Sequence, residues 1–280
     1  MSGNTKVLAD VGQCIYCRTT AGILQKEHII PLGLNGEHLL LHASCNNCAD
    51  ITKRFEQEVL RSALHASRTA LKLHTRRPRE RPTHFPLTIE RDGQEELIQV
   101  SADEYLAMLP LPLFMLPACL DLRPYDYGIE MPGVRFTQVA GKPAAELAET
   151  YQASAIGFQI SYEIVAFARM LAKIAYGFAV AQYGLSAMRD VYIMPALLGC
   201  KDDIGRWVGR IPVQPTKVSD SFHDVAVGVI DGVIIAHVRL FAQFPETPEY
   251  TVVVGNLSEY AQVNRRLLDK VVNNRKQLTR

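Results

Sequence analysis

Residues 14–36 read CIYCRTTAGILQKEHIIPLGLNG, and this stretch opens the pattern that decides the fold of the N-terminal part of the chain. Cys14 and Cys17 are separated by two residues. A second pair with the same spacing, Cys45 and Cys48 in HASCNNCAD, follows Cys17 after 27 residues. Two such pairs can supply four thiolates to one closed tetrahedral site. The spacing therefore predicts a structural zinc ion that stabilises a small module.

The composition of the 280 residues is that of an ordinary globular protein, with 48% hydrophobic residues, 21% charged residues and a net charge of +1. These values argue against a disordered chain and against a polyanion-binding surface over the whole molecule. The clustered cysteine pairs are typical of a reducing compartment rather than of a secreted disulfide framework. Cys119 and Cys200 have no neighbouring motif, and both are expected to be buried apolar residues.

The first residues, MSGNTKVLADVGQ, lack the apolar core of a signal peptide, so the expected location is the cytoplasm. The longest apolar segment, near residues 160–181, contains Glu163, Arg169 and Lys173. Charged side chains are costly in a lipid-facing helix, so no membrane partner is expected.

The chain is expected to be an α+β protein in three parts: a zinc-bound module with a trailing helix over residues 1–75, a basic proline-rich linker over 76–86, and a larger α+β domain over 87–280. Within the last part, Asp92-Gly93 and Asp231-Gly232 predict hairpin turns. GVRFTQVA and EYTVVVG predict strands. Helices are predicted for SADEYLAML (101–109), for the segment that ends at Gly184, and for residues 257–278.

The combination of EHIIP, LGLNG and ASCNNC resembles the HNH endonuclease family, in its zinc-clasped branch, where Cys-x-x-Cys pairs flank a ββα-metal fold. The resemblance covers about residues 14–61. It implies that His28 is the general base that deprotonates the attacking water and that Glu27 is a ligand of a catalytic Mg²⁺ or Mn²⁺.

The chemistry of phosphodiester hydrolysis suits these residue types. Neutral imidazole can take a proton from water near pH 7, and Mg²⁺ prefers carboxylate and water ligands. Adjacent residues diverge in an ideal strand, but at the end of a strand Glu27 and His28 can both reach one centre. The alternative is a solvated Glu27 and a hydrogen-bonded His28 without catalytic roles.

The sequence departs from the family pattern at Ala49, where many HNH proteins have Asn or His as a further metal ligand. Either Asp50 or Glu56 could substitute for this ligand. The string CADITKRFE is similar to the corresponding segment of one branch, and this similarity favours Glu56.

Residues 50–82 carry an excess of five positive charges, although the whole chain has a net charge of only +1. Such a local stripe beside a nuclease-like site is typical of contact with the phosphate backbone. Nucleic acid, DNA before RNA, is therefore the expected partner, and the alternative is a solvated helix face with an arginine-rich linker. The candidate contacts are Lys53, Arg54, Arg61, Arg68 and Lys72.

The first functional hypothesis is a metal-dependent HNH endonuclease whose C-terminal domain binds an effector or protein partner, or restricts activity. By analogy with other fusions of this branch, phage defence is a plausible setting. The alternative is a zinc-stabilised nucleic-acid-binding or adaptor protein whose nuclease centre has decayed, a reading that Ala49 supports. Substrate specificity and oligomeric state stay open.

Overall fold

The chain has the predicted α+β fold, and the computed structural model describes residues 5–123, 128–212, 217–258, 263 and 267–272. The strands are β1 (Lys6–Asp10), β2 (Leu24–His28), β3 (His38–Cys45), β4 (His84–Arg91), β5 (Gln94–Ser101), β6 (Ala107–Leu113), β7 (Gly133–Ala140), β8 (Ala155–Gly157), β9 (Val208–Gly209), β10 (His223–Ile230), β11 (Val233–Leu240) and β12 (Tyr250–Asn256). The α-helices are α1 (Asn46–Arg61), α2 (His65–Ala70), α3 (Ala118–Asp121), α4 (Ala144–Thr150), α5 (Ile164–Tyr183), α6 (Met194–Leu197) and α7 (Ile204–Trp207).

The N-terminal module is a β-hairpin followed directly by a helix. Strands β2 and β3 pair antiparallel, with Glu27 opposite Leu40 and His28 opposite Leu39. Strand β1 joins the other edge of β3 in parallel. Cys45 ends β3 and caps α1, so the chain passes from strand to helix without a loop. The observed order of strand, strand and helix is the order expected of the module.

The helix that trails the cysteines is broken into two pieces. Helix α1 buries Phe55 and Val59, and it ends at Ser62, which has φ −102° and ψ −109°. The hydroxyl of Ser62 donates to the carbonyl of Glu58 at 2.6 Å, within the last turn. The chain becomes helical again only at α2, so two short helices replace one continuous helix.

The larger C-terminal part contains the predicted strands. The turns at Asp92-Gly93 and Asp231-Gly232 join β4 to β5 and β10 to β11, as predicted. Strands β10, β11, β12 and β9 form an antiparallel sheet in that order, and the other pairings are β5-β4-β8 and β6-β7.

The helix predicted for residues 101–109 is wrong. The backbone makes a single turn after β5, in which the carbonyl of Ser101 accepts from the amides of Glu104 and Tyr105, and then enters β6. Pro110 and Pro112 follow within β6 and cannot lie inside a helix, whereas the antiparallel partner β7 accommodates them.

Helix α5 lies at the centre of the molecule. It packs against α1 on one side and against β10, β11 and β12 on another. By length and composition α5 could cross a membrane, but 72% of its apolar window is buried inside the fold, as in a core helix. One hydrophobic core runs from Cys14 in the module to Val254 in β12.

The domain boundaries at residues 75 and 86 stay a prediction, because this core contains side chains from both sides of them. The predicted C-terminal helix over 257–278 lies mostly outside the described residues. The short described segment 267–272 is helical.

Candidate functional site

The four cysteines of the two pairs form one cluster. Their Sγ atoms all lie within 4.8 Å of one another, and those of Cys17 and Cys45 are 3.7 Å apart. The cluster could hold a metal ion, as predicted. Within the described ranges, no second group of three or more His, Cys, Asp or Glu side chains converges in this way.

Local backbone geometry brings the thiols together. The carbonyl of Cys14 accepts from the amide of Arg18 at 2.9 Å, and Arg18 has a left-handed φ of 64°, so the first pair sits on a tight turn. Cys45 lies at the N-terminus of α1. Burial by itself raises the pKa of Cys45. Hydrogen bonds from the amide of Cys48 and from the neighbouring thiols outweigh burial and lower this pKa, which favours a metal-binding thiolate.

A buried lysine from α5 lies between the two carboxylates predicted as metal ligands. Nζ of Lys173 is 2.7 Å from an oxygen of Glu27 and 2.7 Å from Oε1 of Glu56, and it also donates to the backbone carbonyl of His28. Lys173 is only 1% exposed. The contact with Glu56 is a close ion pair rather than a well-directed hydrogen bond. Three groups of the module thus surround one ammonium from the core helix.

The lysine in this cluster is charged. Burial alone lowers the pKa of Lys173, but the carboxylates of Glu27 and Glu56 raise it above its ordinary value. Burial raises the pKa of Glu56. The positive charge of Lys173 lowers this pKa and the negative charge of Glu27 raises it, and the net result is a raised pKa. The result is a desolvated group of opposite charges whose members depend on one another.

The structure brings together two of the three predicted ion ligands. Glu27 and Glu56 share one centre, whereas Asp50 is exposed, which favours Glu56 as the substitute for the position of Ala49. The predicted divalent ion does not fit this pair as it stands, because the ammonium of Lys173 already lies against both carboxylates. A divalent cation there would meet a positive charge at contact distance.

His28 ends β2, and its side chain is half-buried. Burial lowers the pKa of His28 to about 4, and the nearby positive charges of Lys173, Lys26, Arg76 and His74 act in the same direction. The imidazole is therefore uncharged near neutral pH, as a general base requires, but a pKa this low makes it a weaker base than an ordinary histidine. Of these groups, Lys26 and Arg76 are exposed and would attract a phosphate.

The candidate nucleic-acid contacts divide into two groups. Lys53, Arg54, Arg61 and Lys72 are exposed. Arg68 instead turns inward and donates to the carbonyls of Gly33 at 2.7 Å, Leu60 at 2.8 Å and His74 at 3.2 Å. Arg68 thus holds the module together, a role that its place in a run of basic residues did not indicate.

Sequence reasoning missed the role of Lys173. The available signal was a lysine in the middle of an otherwise apolar helix, which indicated only that α5 does not face lipid. Nothing local connects Lys173 to Glu27, from which it is separated by 146 positions. The expectation for Cys119 is confirmed, because it is buried, but the one for Cys200 is wrong, because it is exposed.

Comparison with known proteins found no matching family model, no matching curated protein and no matching solved structure. The resemblance to HNH endonucleases therefore rests on the motif residues alone.

Proposed function

We propose that the chain is an HNH-type endonuclease that hydrolyses phosphodiester bonds in nucleic acid, with DNA as the first substrate to test. The supporting observation is that the carboxylates of Glu27 on β2 and Glu56 on α1 meet at a single point, where the backbone carbonyl of His28 also lies. Helix α1 also carries Cys48, and β3, the antiparallel partner of β2, ends at Cys45. The larger C-terminal part is then a regulatory or partner-binding domain.

In this proposal the thiol cluster holds a structural zinc ion. Four sulfur donors close the coordination shell and leave no position for water, so this ion would stabilise the module and take no part in catalysis. It would fasten the turn at Cys14 to the start of α1.

The uncharged ring of His28 would accept a proton from the attacking water. Lys26 and Arg76 supply positive charge around this ring, and they would draw the phosphate backbone toward it. The exposed basic residues of α1 and of the segment after α2 would extend the contact along the strand. The expected dependence on Mg²⁺ or Mn²⁺ belongs to this proposal.

A second candidate function is a zinc-stabilised nucleic-acid-binding or adaptor protein with a decayed nuclease centre. One observation favours it: the carboxylate pair is neutralised by Lys173 rather than left open. Ala49 at the usual ligand position agrees with this reading.

Plasmid cleavage separates the two candidates. Purified protein is incubated with supercoiled plasmid and Mg²⁺ or Mn²⁺, as wild type and as His28→Ala. Both forms are also made in a Lys173→Met background, in which the carboxylate pair is open. His42→Ala is the matched control, because His42 is an exposed histidine of the same module.

Nicking that His28→Ala reduces at least about a hundredfold, the usual size of a general-base contribution, supports the nuclease. His42→Ala should retain full activity. If neither background nicks DNA although both bind it, the binding protein is the better description. Absence of both cleavage and binding, with DNA and with RNA, overturns both candidates.

A further inference from the structure

We propose that Lys173 and a divalent ion occupy the pair of Glu27 and Glu56 in a mutually exclusive way, so that the ion site of the module is closed by a side chain from the C-terminal part. The inference deepens the proposed function, and it rests on that function for the statement that the site would serve a nuclease. The mutual exclusion itself rests on the contacts of Lys173.

The first argument is charge. An ion bound to the carboxylates would need direct contact with oxygen atoms that already lie 2.7 Å from Nζ of Lys173. The surroundings are desolvated, so little water is present to screen the repulsion between the two cations. Either the ammonium or the ion can neutralise the pair, but not both together.

The second argument is that the lysine already lies against all three oxygen groups that the module presents at this site. An ammonium has three donors, and three acceptors of the module lie around Nζ: the two carboxylates and the carbonyl of His28. The contact with Oε1 of Glu56 is an ion pair without a directed hydrogen bond, so the closed state is held mainly by charge. An ion can reach the carboxylates only by displacing the ammonium.

The third argument is the position of the lysine in the fold. Lys173 lies between the fully buried Ala172 and Ile174 in the middle of α5, and α5 packs on the four-stranded sheet. The helix cannot withdraw without disturbing that core. The occupancy of the site is therefore set by the C-terminal part of the chain, and an effector that repositions the side chain of Lys173 would open it.

The test is a titration with Mn²⁺, followed by electron paramagnetic resonance, on protein loaded with zinc. The variants are wild type, Lys173→Met, Lys173→Met with Glu27→Gln, and the control Lys142→Met. Lys142 also lies between two carboxylates, at 2.8 Å from Glu104 and 3.5 Å from Glu146, but this cluster is at the surface.

Lys173→Met should bind one Mn²⁺ per chain at least about tenfold more tightly than wild type. The added Glu27→Gln should abolish the gain, and Lys142→Met should behave as wild type. Equal Mn²⁺ binding by wild type and Lys173→Met, or no binding by either, overturns the inference.

Loss of the lysine leaves two buried carboxylates without a counter-charge, so Lys173→Met can impair folding. Lys173→Gln retains a hydrogen-bond donor without the charge and carries the same expectation. Wild type and Glu27→Gln provide a comparison that needs no change at Lys173. Mn²⁺ bound by wild type as tightly as by Lys173→Gln, and lost in Glu27→Gln, contradicts mutual exclusion.

The same variants distinguish this inference from the proposed function. Mn²⁺ binding by Lys173→Met without plasmid nicking supports the closed ion site and contradicts the proposed nuclease function. His28-dependent nicking by a wild type that binds Mn²⁺ through Glu27 as tightly as Lys173→Met does supports the nuclease and contradicts the closed site.

Discussion

Single side chains in the interior attach the module to the rest of the chain, one of them fully buried and the other partly buried. The hydroxyl of Tyr176 on α5 donates to the carbonyl of Ile15, and Nε2 of His223 on β10 donates to the carbonyl of Leu34 at 2.7 Å. The other ring nitrogen of His223 accepts from the amide of Phe241 at 3.2 Å. This pair of hydrogen bonds requires the neutral imidazole, because a second ring proton would face a donor.

His223 should make stability depend on pH. Burial lowers the pKa of His223 from 6.5 to about 4 in the folded chain. Between these values the unfolded chain binds the proton and the folded chain does not, so stability falls as the pH falls from about 6.5 toward 4. The expected loss from this residue is about 2 kcal/mol between pH 7 and pH 5, measured by urea unfolding.

The variant His223→Asn, which can still donate and accept, should show a smaller loss over the same interval. Other partly buried histidines, His28 among them, act in the same direction, so the difference between variants is the informative quantity. His84→Asn, at an exposed position, should keep the dependence of wild type. An unchanged pH slope in His223→Asn would show that this ring titrates in the folded chain as in the unfolded one.

Among the elements of the C-terminal part, helix α5 reaches the candidate site through Lys173. Its approach depends on Gly177, where an added Cβ would lie 2.8 Å from Cγ2 of Ile29. Ile29 follows His28 directly, so crowding at this point is transmitted to the end of β2. The small residue one turn beyond Lys173 therefore allows the helix to come close enough for the ammonium to reach Glu27.

Gly177→Ala should lower the free energy of unfolding by up to about 2 kcal/mol. Overpacking costs about 1–3 kcal/mol, and the better helix propensity of alanine returns up to about 1 kcal/mol. Urea unfolding measures the difference. Gly228→Ala is the control, because nothing lies within 4 Å of the added Cβ, and it should change stability little. Stabilisation by Gly177→Ala would show that β2 and α5 have room to separate.

At the scale of the whole molecule, the module and the C-terminal part share one hydrophobic core. The proposed zinc ion would fix the turn at Cys14 against α1, and α1 packs on α5. Loss of the ion would therefore lower the stability of the C-terminal part as well as that of the module. Because the core is continuous, the chain is expected to unfold in a single cooperative transition.

Cys17→Ser should reduce bound zinc from one equivalent per chain and lower Tm by roughly 10 °C or more, the effect of losing several kcal/mol. Cys200→Ser is the matched control, since Cys17 and Cys200 are both exposed and only Cys17 belongs to the cluster. Elemental analysis and calorimetry give the two quantities. Two separate transitions, only one of them shifted, would instead make residues 1–75 an independent domain.

The sequence alone was enough for features that depend on local spacing. Two residues between cysteines, an Asp-Gly pair between apolar runs, and apolar residues at helical intervals each determine geometry over a few positions. The thiol cluster, both hairpins and the course of α5 were accordingly predictable. The helix predicted at 101–109 was wrong because the capping signal at Ser101 is local, whereas pairing with β7 and the prolines of β6 decide that segment.

Only the tertiary structure decided what lies between Glu27 and Glu56. The motif around His28 predicts a carboxylate site for a cation, and the chain supplies the cation itself from a helix far along the sequence. Such a pairing depends on the packing of α5 against the module, a long-range contact that no spacing rule encodes. The inward turn of Arg68 has the same origin, because backbone carbonyls of folded segments compete with solvent for its guanidinium.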